Sequence, residues 1–392
     1  MKYAITPLTK PVTTEIEIPG SKSLTNRALI LAAQTKEEVK ILNPLIADDT
    51  KSMIECLQTL GIEIKFSEDS IYVFGDITKV EDKEYELNAH LSGTTIRFIL
   101  ALSCITKGTK KIYGEGGLKK RPIKQLVEAL RELGADIEYL ENEGFPPVLV
   151  KSSTLQPGTI NLRGDISSQF ISALLLITPT VGNIDIQITG EQISKPYIEM
   201  TRDLLKNFGQ HEYFIEGDYS SAAYFFSIAK LTGSTFKFKN LNPDSKQADL
   251  EFVKILEEMG NEIKPINIDM TNCPDQIQTM AVLLSFAHGQ SEITGIKSLR
   301  IKETDRVKAL ENELSKMGIT TESTENTLKI FGGNPKEAEI ETYKDHRMAM
   351  SFAIAGCKIP SVIIKDPKVV SKTYPNFWDD LRRVTEVKEI ES

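Results

Sequence analysis

Six times along the chain a Gly-, Ser- or Asp-rich turn runs straight into an apolar stretch long enough for a buried helix. The segments are PGSKSLTNRALILAA (19–33), LSGTTIRFILALSC (91–104), GDISSQFISALLLIT (164–178), GDYSSAAYFFSIA (217–229), NCPDQIQTMAVLLSFA (272–287) and KDHRMAMSFAIAG (344–356). About 30 residues after each comes a second stretch whose apolar positions recur at a 3.6-residue period, the mark of an amphipathic helix. These are DDTKSMIECLQTLG, RPIKQLVEALRELG, KPYIEMTRDLLKNFG, ADLEFVKILEEMG, KETDRVKALENELSKMG and KTYPNFWDDLRRV. Five of them stop at a glycine (Gly61, Gly134, Gly209, Gly260, Gly318), the residue that takes a left-handed C-cap at least cost. Short β-branched runs lie between the helices, among them IYVFG, KKIYG, VLVKS, IDIQITG, STFKFKNL and SVIIKD. The pattern predicts an α/β protein of six units, each a strand, helix, strand, helix and then one or two strands.

Unit starts fall roughly 50 to 75 residues apart, too far for a simple solenoid, so two halves of three units each are the expectation. The third unit is cut short after NFGQ at 207–210, with no room for a trailing hairpin before EYFIEGD. No Pro/Gly/Ser-rich linker marks the border, which is placed near residue 215; the N-terminal strand can pair with either half.

Composition narrows the partners. A net charge of −8 over 392 residues argues against a general nucleic-acid or anionic-membrane surface, because counterion release needs clustered excess Lys and Arg. The four cysteines, Cys56, Cys104, Cys273 and Cys357, show no metal-ligand or redox spacing, and buried free thiols are expected. No stretch approaches the ~18 apolar residues of a membrane span, and the N-terminus lacks an apolar signal core. A cytoplasmic location is the expectation.

Charge at the helix starts changes the picture. A helix N-terminus carries roughly half a positive charge and disfavours cations, yet eight recur there: Lys22, Arg27, Arg97, Arg121, Lys302, Arg306, Arg347 and Lys372. Backbone N–H groups at helix starts and Arg forks both suit phosphate, so this recurrence points to more than one bound anionic group. Ser167, Ser168 and Gln169 crowd one start, where capping accounts for one or two hydroxyls and leaves Gln169 over. In GDYSSAAYF the same serine pattern lacks nearby cations and reads as structural. Asp275 and Glu303 are a cap or surface acid taken singly; within a basic phosphate site, one carboxylate as acid and one as base suit a proton-coupled reaction. His346 beside Asp345 reads as a hydrogen-bonded core residue, with no second metal ligand in view. GEGGLKKR (114–121) lacks the G-K-[ST] ending of a P-loop.

PGSKSLTNRA, KKRPI, GDISSQF, SKPY, EGD-SSA-YF, the CPD segment, IKETDR, DHRMAM and the SKTYP segment, in this order over nearly the whole chain, closely resemble the 5-enolpyruvylshikimate-3-phosphate synthase family. The resemblance implies a two-domain inside-out α/β prism of six βαβαββ-type units, with residues 1–19 joining 216–392, residues 20–215 forming the other domain, and the active site in the cleft between them. It implies transfer of the enolpyruvyl group of phosphoenolpyruvate to shikimate 3-phosphate, without metal or organic cofactor, by a monomer. Shikimate 3-phosphate would be held by Lys22, Ser23, Arg27, Ser167, Ser168, Gln169, Ser194, Tyr197, Asp275, Ser298 and Lys302. Phosphoenolpyruvate would be held by Lys22, Gly93, Arg121, Gln169, Arg306, Arg347 and Lys372, its carboxylate toward Arg306 and Arg347 and its phosphate toward Lys22 and Arg121. Glu303 would donate the proton and Asp275 accept one, with Lys22 a further participant. The chain departs from the family at Leu91 and Ser298, each standing where the family usually has Asn.

Two rivals remain at this stage. The sister transferase acting on UDP-N-acetylglucosamine carries a reactive Cys on the loop equivalent to 114–121, and this chain has none there. A silent binding module would have no use for eight cations and two acids kept together, since such crowding is costly without its anions.

Overall fold

Helices that are apolar on every side have to be enclosed, and that requirement organises the molecule. The computed structural model describes residues 1–165, 167–190, 192–209 and 211–390, so Ile166 of GDISSQF and Gln210 of NFGQ lie outside the described residues. The chain folds into two compact units, one of Gly20–Glu216 and one of Met1–Pro19 with Gly217–Ser392.

In the Gly20–Glu216 unit the inner helices are Lys22–Gln34, Gly93–Ser103 and Ser168–Leu176. They touch one another, and most of their side chains are buried, including Leu29, Ile30, Ile99, Leu100 and Leu174. Each such side chain contributes about 1.5–3 kcal/mol by leaving water. The partner helices Asp48–Thr59, Lys124–Glu132 and Lys195–Asn207 bury one stripe only, as in Leu126, Val127, Ala129 and Leu130. Three sheets complete the unit, with strand orders Glu212–Phe214, Glu38–Leu42, Ser70–Phe74, Glu63–Phe66, then Glu84–Asn88, Thr109–Tyr113, Val148–Lys151, Asp136–Tyr139, then Gly158–Arg163 beside Ile184–Thr189. Strand pairs joined through an inner helix run parallel, as with Leu87 opposite Ile112 and Ile160 opposite Ile186, and hairpin pairs run antiparallel. The last strand, Glu212–Phe214, returns to the first sheet and pairs with Lys40–Leu42.

The other unit repeats the plan with inner helices Tyr219–Thr232, Ile277–Leu284 and His346–Gly356, which again touch one another. The start of the chain completes two of its sheets. Lys2–Ile5 lies between Val362–Lys365 and Val387–Ile390, and Thr13–Ile16 runs parallel to Thr235–Phe238.

Two details depart from the sequence reading. The third and fourth units both form two-stranded sheets without a trailing hairpin, because only 259–266 separate the helix Leu250–Glu258 from the next unit's strand Asn267–Asp269. Gly61, Gly134, Gly260 and Gly318 take the expected positive φ, but Gly209 does not. It is needed for a close approach instead, since a Cβ there would lie 2.6 Å from the Glu212 carbonyl oxygen.

Gly20 fixes where the first inner helix begins. A Cβ on it would fall 2.0 Å from the carbonyl oxygen of Asn43, a backbone atom that cannot turn aside. Gly20→Ala is therefore expected to lower stability by about 2–3 kcal/mol, read as a drop in the urea midpoint of unfolding.

Candidate active site

Each unit carries its own set of the predicted side chains, placed at or near helix starts and in the turns beside them. In the Gly20–Glu216 unit, Ser21 caps the first helix by accepting from the Leu24 N–H, and no acid occupies the first turn. Lys22 Nζ instead meets Asp49 of the neighbouring helix at 3.3 Å. Arg27 is buried: its Nε donates to Thr201 Oγ1 at 2.8 Å, Nη2 to Ser172 Oγ at 3.1 Å and Nη1 to the Ser23 carbonyl at 2.9 Å. Its guanidinium lies 5.3 Å from the Phe98 ring centre. Burial pushes Arg27 down to about 10, against the opposing pull of Tyr197. These bonds occupy three of its five N–H groups.

Gln169 is pinned at both ends of its amide. Its oxygen accepts from Arg97 Nη1, and its nitrogen donates to Thr94 Oγ1 at 3.2 Å. Ser167 is the N-cap of that helix and accepts from the Gln169 N–H, with Ser168 beside it in the first turn. Ser194, in a left-handed conformation with φ 55°, and Tyr197 open the helix Lys195–Asn207. Arg121 follows the short turn Gly116–Lys120 and reaches Gly93: a Cβ at Gly93 would sit 2.4 Å from Arg121 Nη1.

In the other unit, Asp275 stands in the turn Pro274–Gln276 that opens an inner helix. Its Oδ2 meets Arg347 Nη2 at 2.9 Å, and its Oδ1 meets Arg306 Nη1 at 3.3 Å and Lys302 Nζ at 3.7 Å. Glu303 bridges Lys372 Nζ at 2.7 Å and Arg306 Nη2 at 2.9 Å. Arg306 is held from behind by Asp345, with Nε to Oδ2 at 2.7 Å. Burial alone would lower the Arg306 guanidinium; Asp345, Glu303 and Asp275 outweigh it and raise it. Lys302, Arg306, Arg347 and Lys372 are thus interleaved with Asp275, Glu303 and Asp345. Ser298 sits half-buried in the turn Lys297–Ile301.

The structure adds residues that the sequence reading did not assign. Asp49 and Thr94 position Lys22 and Gln169. Asp345, which was read only as a neighbour of His346, both caps its helix and anchors Arg306. Asp249 is buried, and its carboxyl is raised by burial, partly countered by Arg347; it accepts from Ser220 Oγ and from Gln276 Nε2 at 2.8 Å. Ser220 of GDYSSAAYF is used in this way, and Asp218 caps its helix.

His346 corrects one expectation. It is a core residue, but neither ring nitrogen has a hydrogen-bond partner, and Nδ1 stands 3.6 Å from Asp345 Oδ1. Burial, with Arg347 and Lys372 adding to it, holds the imidazole well below its ordinary 6.5. Among the described residues no group of three or more His, Cys, Asp or Glu side chains could hold a metal ion. No described helix is long and apolar enough to cross a membrane.

Both units are built on the same repeated α/β plan, each with cations near helix starts. The fold matches two solved EPSP synthase structures from Acinetobacter baumannii: one with TM-score 0.79 at 23% identity, covering 99% of this chain and 100% of that one, and one with TM-score 0.80 at 21% identity, covering both fully. The sequence profile of EPSP synthase (3-phosphoshikimate 1-carboxyvinyltransferase) matches residues 8–211 and 209–381. The 3-phosphoshikimate 1-carboxyvinyltransferase of Vibrio vulnificus is 37% identical over 423 residues, covering 96% of this chain and 98% of that protein. The enzyme of the same description from a Sulfurovum species is 38% identical over 411 residues, covering 95% and 96%. The chain belongs to the EPSP synthase family.

Two outcomes follow from this geometry. Gly93→Ala displaces the Arg121 guanidinium and should raise the KM for a phosphate-bearing substrate at that end about tenfold, with the fold unchanged by circular dichroism. His346 stays neutral in the folded chain but takes up a proton on unfolding below pH 6.5, so its contribution to stability is lost as pH falls from there, by up to about 1.4 kcal/mol per pH unit. His346→Gln should flatten that fall, measured as urea midpoints at pH 7.5 and 5.5.

Proposed function

We propose that this chain transfers the enolpyruvyl group of phosphoenolpyruvate to the 5-hydroxyl of shikimate 3-phosphate and releases phosphate, the reaction of its family, with the following division of labour. Ser23, Arg27, Ser167, Ser168, Gln169, Ser194, Tyr197, Ser298 and Lys302 hold shikimate 3-phosphate. Lys22, Gly93, Arg121, Gln169, Arg306, Arg347 and Lys372 receive phosphoenolpyruvate, its carboxylate taken by Arg306 and Arg347 and its phosphate by Lys22 and Arg121.

Glu303 delivers a proton to the methylene carbon of phosphoenolpyruvate, which leaves a cationic centre at the carbon bearing the phosphate. The sugar hydroxyl adds there and gives up its proton to Asp275. The resulting tetrahedral ketal returns a methyl proton to the Glu303 carboxylate as its phosphate departs with the C–O bonding electrons, restoring the double bond. Neither step calls for a metal or an organic cofactor. The clustered cations stabilise charge as it develops on the departing phosphate, commonly the largest catalytic contribution.

The observation that carries this assignment is the sharing of Arg306 by the two acids. Asp275 and Glu303 sit on one buried guanidinium yet face different second cations, Arg347 and Lys372. Both carboxylates thus stand on the cations assigned above to phosphoenolpyruvate, which sets two proton-transferring groups beside that substrate. The buried cysteines Cys56, Cys104 and Cys357, each with a thiol pushed up to about 12 chiefly by burial, fit a reducing compartment. The reading places the enzyme in the cytoplasm as a monomer.

The test is phosphate release from the purified chain given shikimate 3-phosphate and phosphoenolpyruvate. Release should require both substrates, and Asp275→Ala should cut kcat by about 10²–10⁴. Release with phosphoenolpyruvate alone, or an unchanged rate in the variant, would overturn the assignment.

A further inference from the structure

His90 is a non-glycine residue held at φ 47°, a left-handed conformation that costs an L-residue about 1–2 kcal/mol unless its surroundings enforce it. The enforcement is visible. The Asn88 side-chain oxygen accepts from the His90 N–H at 2.8 Å, and the His90 carbonyl accepts from the Glu115 N–H at 2.7 Å. The imidazole lies between two carboxylates, Nδ1 at 3.1 Å from Glu115 Oε1 and Nε2 at 3.1 Å from Glu55 Oε2. Asn88 Nδ2 donates to the same Glu115 oxygen at 2.7 Å.

Each carboxylate belongs to an element that carries a site cation. Glu55 is on the helix Asp48–Thr59, whose Asp49 meets Lys22. Glu115 immediately precedes the turn Gly116–Lys120, which ends at Arg121 over Gly93. Glu115 also accepts the Leu118 N–H through its carbonyl, and Leu118 accepts that of Arg121, so a shift of Glu115 is passed along the turn.

The two ring nitrogens face two acceptors. Neutral imidazole has one N–H and can donate to only one of them; the imidazolium donates to both. The other group facing this cluster, Cys56, has its thiol at 3.4 Å from the Asn88 carbonyl and pushed up to about 12, so it stays protonated. Glu115 is lowered by Asn88 and His90 and is ionised near neutrality. Neither glutamate has another cation partner among the described residues.

We propose that His90 is a positioning residue for phosphoenolpyruvate: its imidazolium ties Glu115 to Glu55, sets the turn that presents Arg121 relative to Lys22, and releases that turn on deprotonation. This rests on the enolpyruvyl-transfer reading above.

The experiment measures KM for phosphoenolpyruvate between pH 6 and 9, at saturating shikimate 3-phosphate, in the wild-type chain and in His90→Gln and Glu115→Gln. Titration of phosphoenolpyruvate itself is common to all three and cancels in the ratio of variant to wild type. For both variants that ratio should be about three or more at pH 6 and approach one by pH 9, with kcat and the KM for shikimate 3-phosphate unchanged. A ratio that does not vary with pH would overturn the role of His90 while leaving the transferase reading intact. A wild-type chain that releases no phosphate at any of these pH values would overturn the transferase reading itself.

Discussion

A cation placed at the positive end of a buried helix is stable only when something negative answers it, and that constraint governs both units. Arg306 meets it with three carboxylates on a guanidinium almost wholly removed from water. Breaking one side of such a buried set costs about 3–5 kcal/mol, because the other side is left as an uncompensated charge. The ion pairs therefore hold the functional groups in place more firmly than surface pairs could. Asp275 and Glu303 are fixed by the same charges that make the region attractive to phosphates.

The Gly20–Glu216 unit answers the constraint differently. Arg27 has hydroxyls and a carbonyl around it in place of a carboxylate, and burial brings its affinity for a proton down. Lys22 meets Asp49 of the neighbouring helix. The result is one unit rich in paired acids and bases and another rich in hydrogen-bond donors.

Much of this was legible in the residues themselves. The inner helices are apolar all round, and such segments have no stable place except enclosed by others, so their number and starts could be read from periodicity alone. Cations at helix starts stood out because they oppose the helix dipole. Less legible were contacts made by residues whose local role looked complete. Asp345 was read only as the neighbour of His346, and its bond to Arg306 spans 39 positions of sequence. Asp49 and Thr94 were assigned no role from the sequence. His346 was expected to be hydrogen-bonded because a buried imidazole usually is; it is buried, and among the described residues neither ring nitrogen meets a partner.

The sequence by itself determined the repeated α/β plan, the set of cations and acids, and the family, since each of these depends on residue type and local spacing. Tertiary structure alone decided which acid meets which cation, that Lys2–Ile5 completes a sheet with strands more than 350 positions away, and that His90 is clamped between Glu55 and Glu115. Those outcomes depend on long-range packing, where chain separation carries no signal and only the folded geometry brings the partners within hydrogen-bond reach.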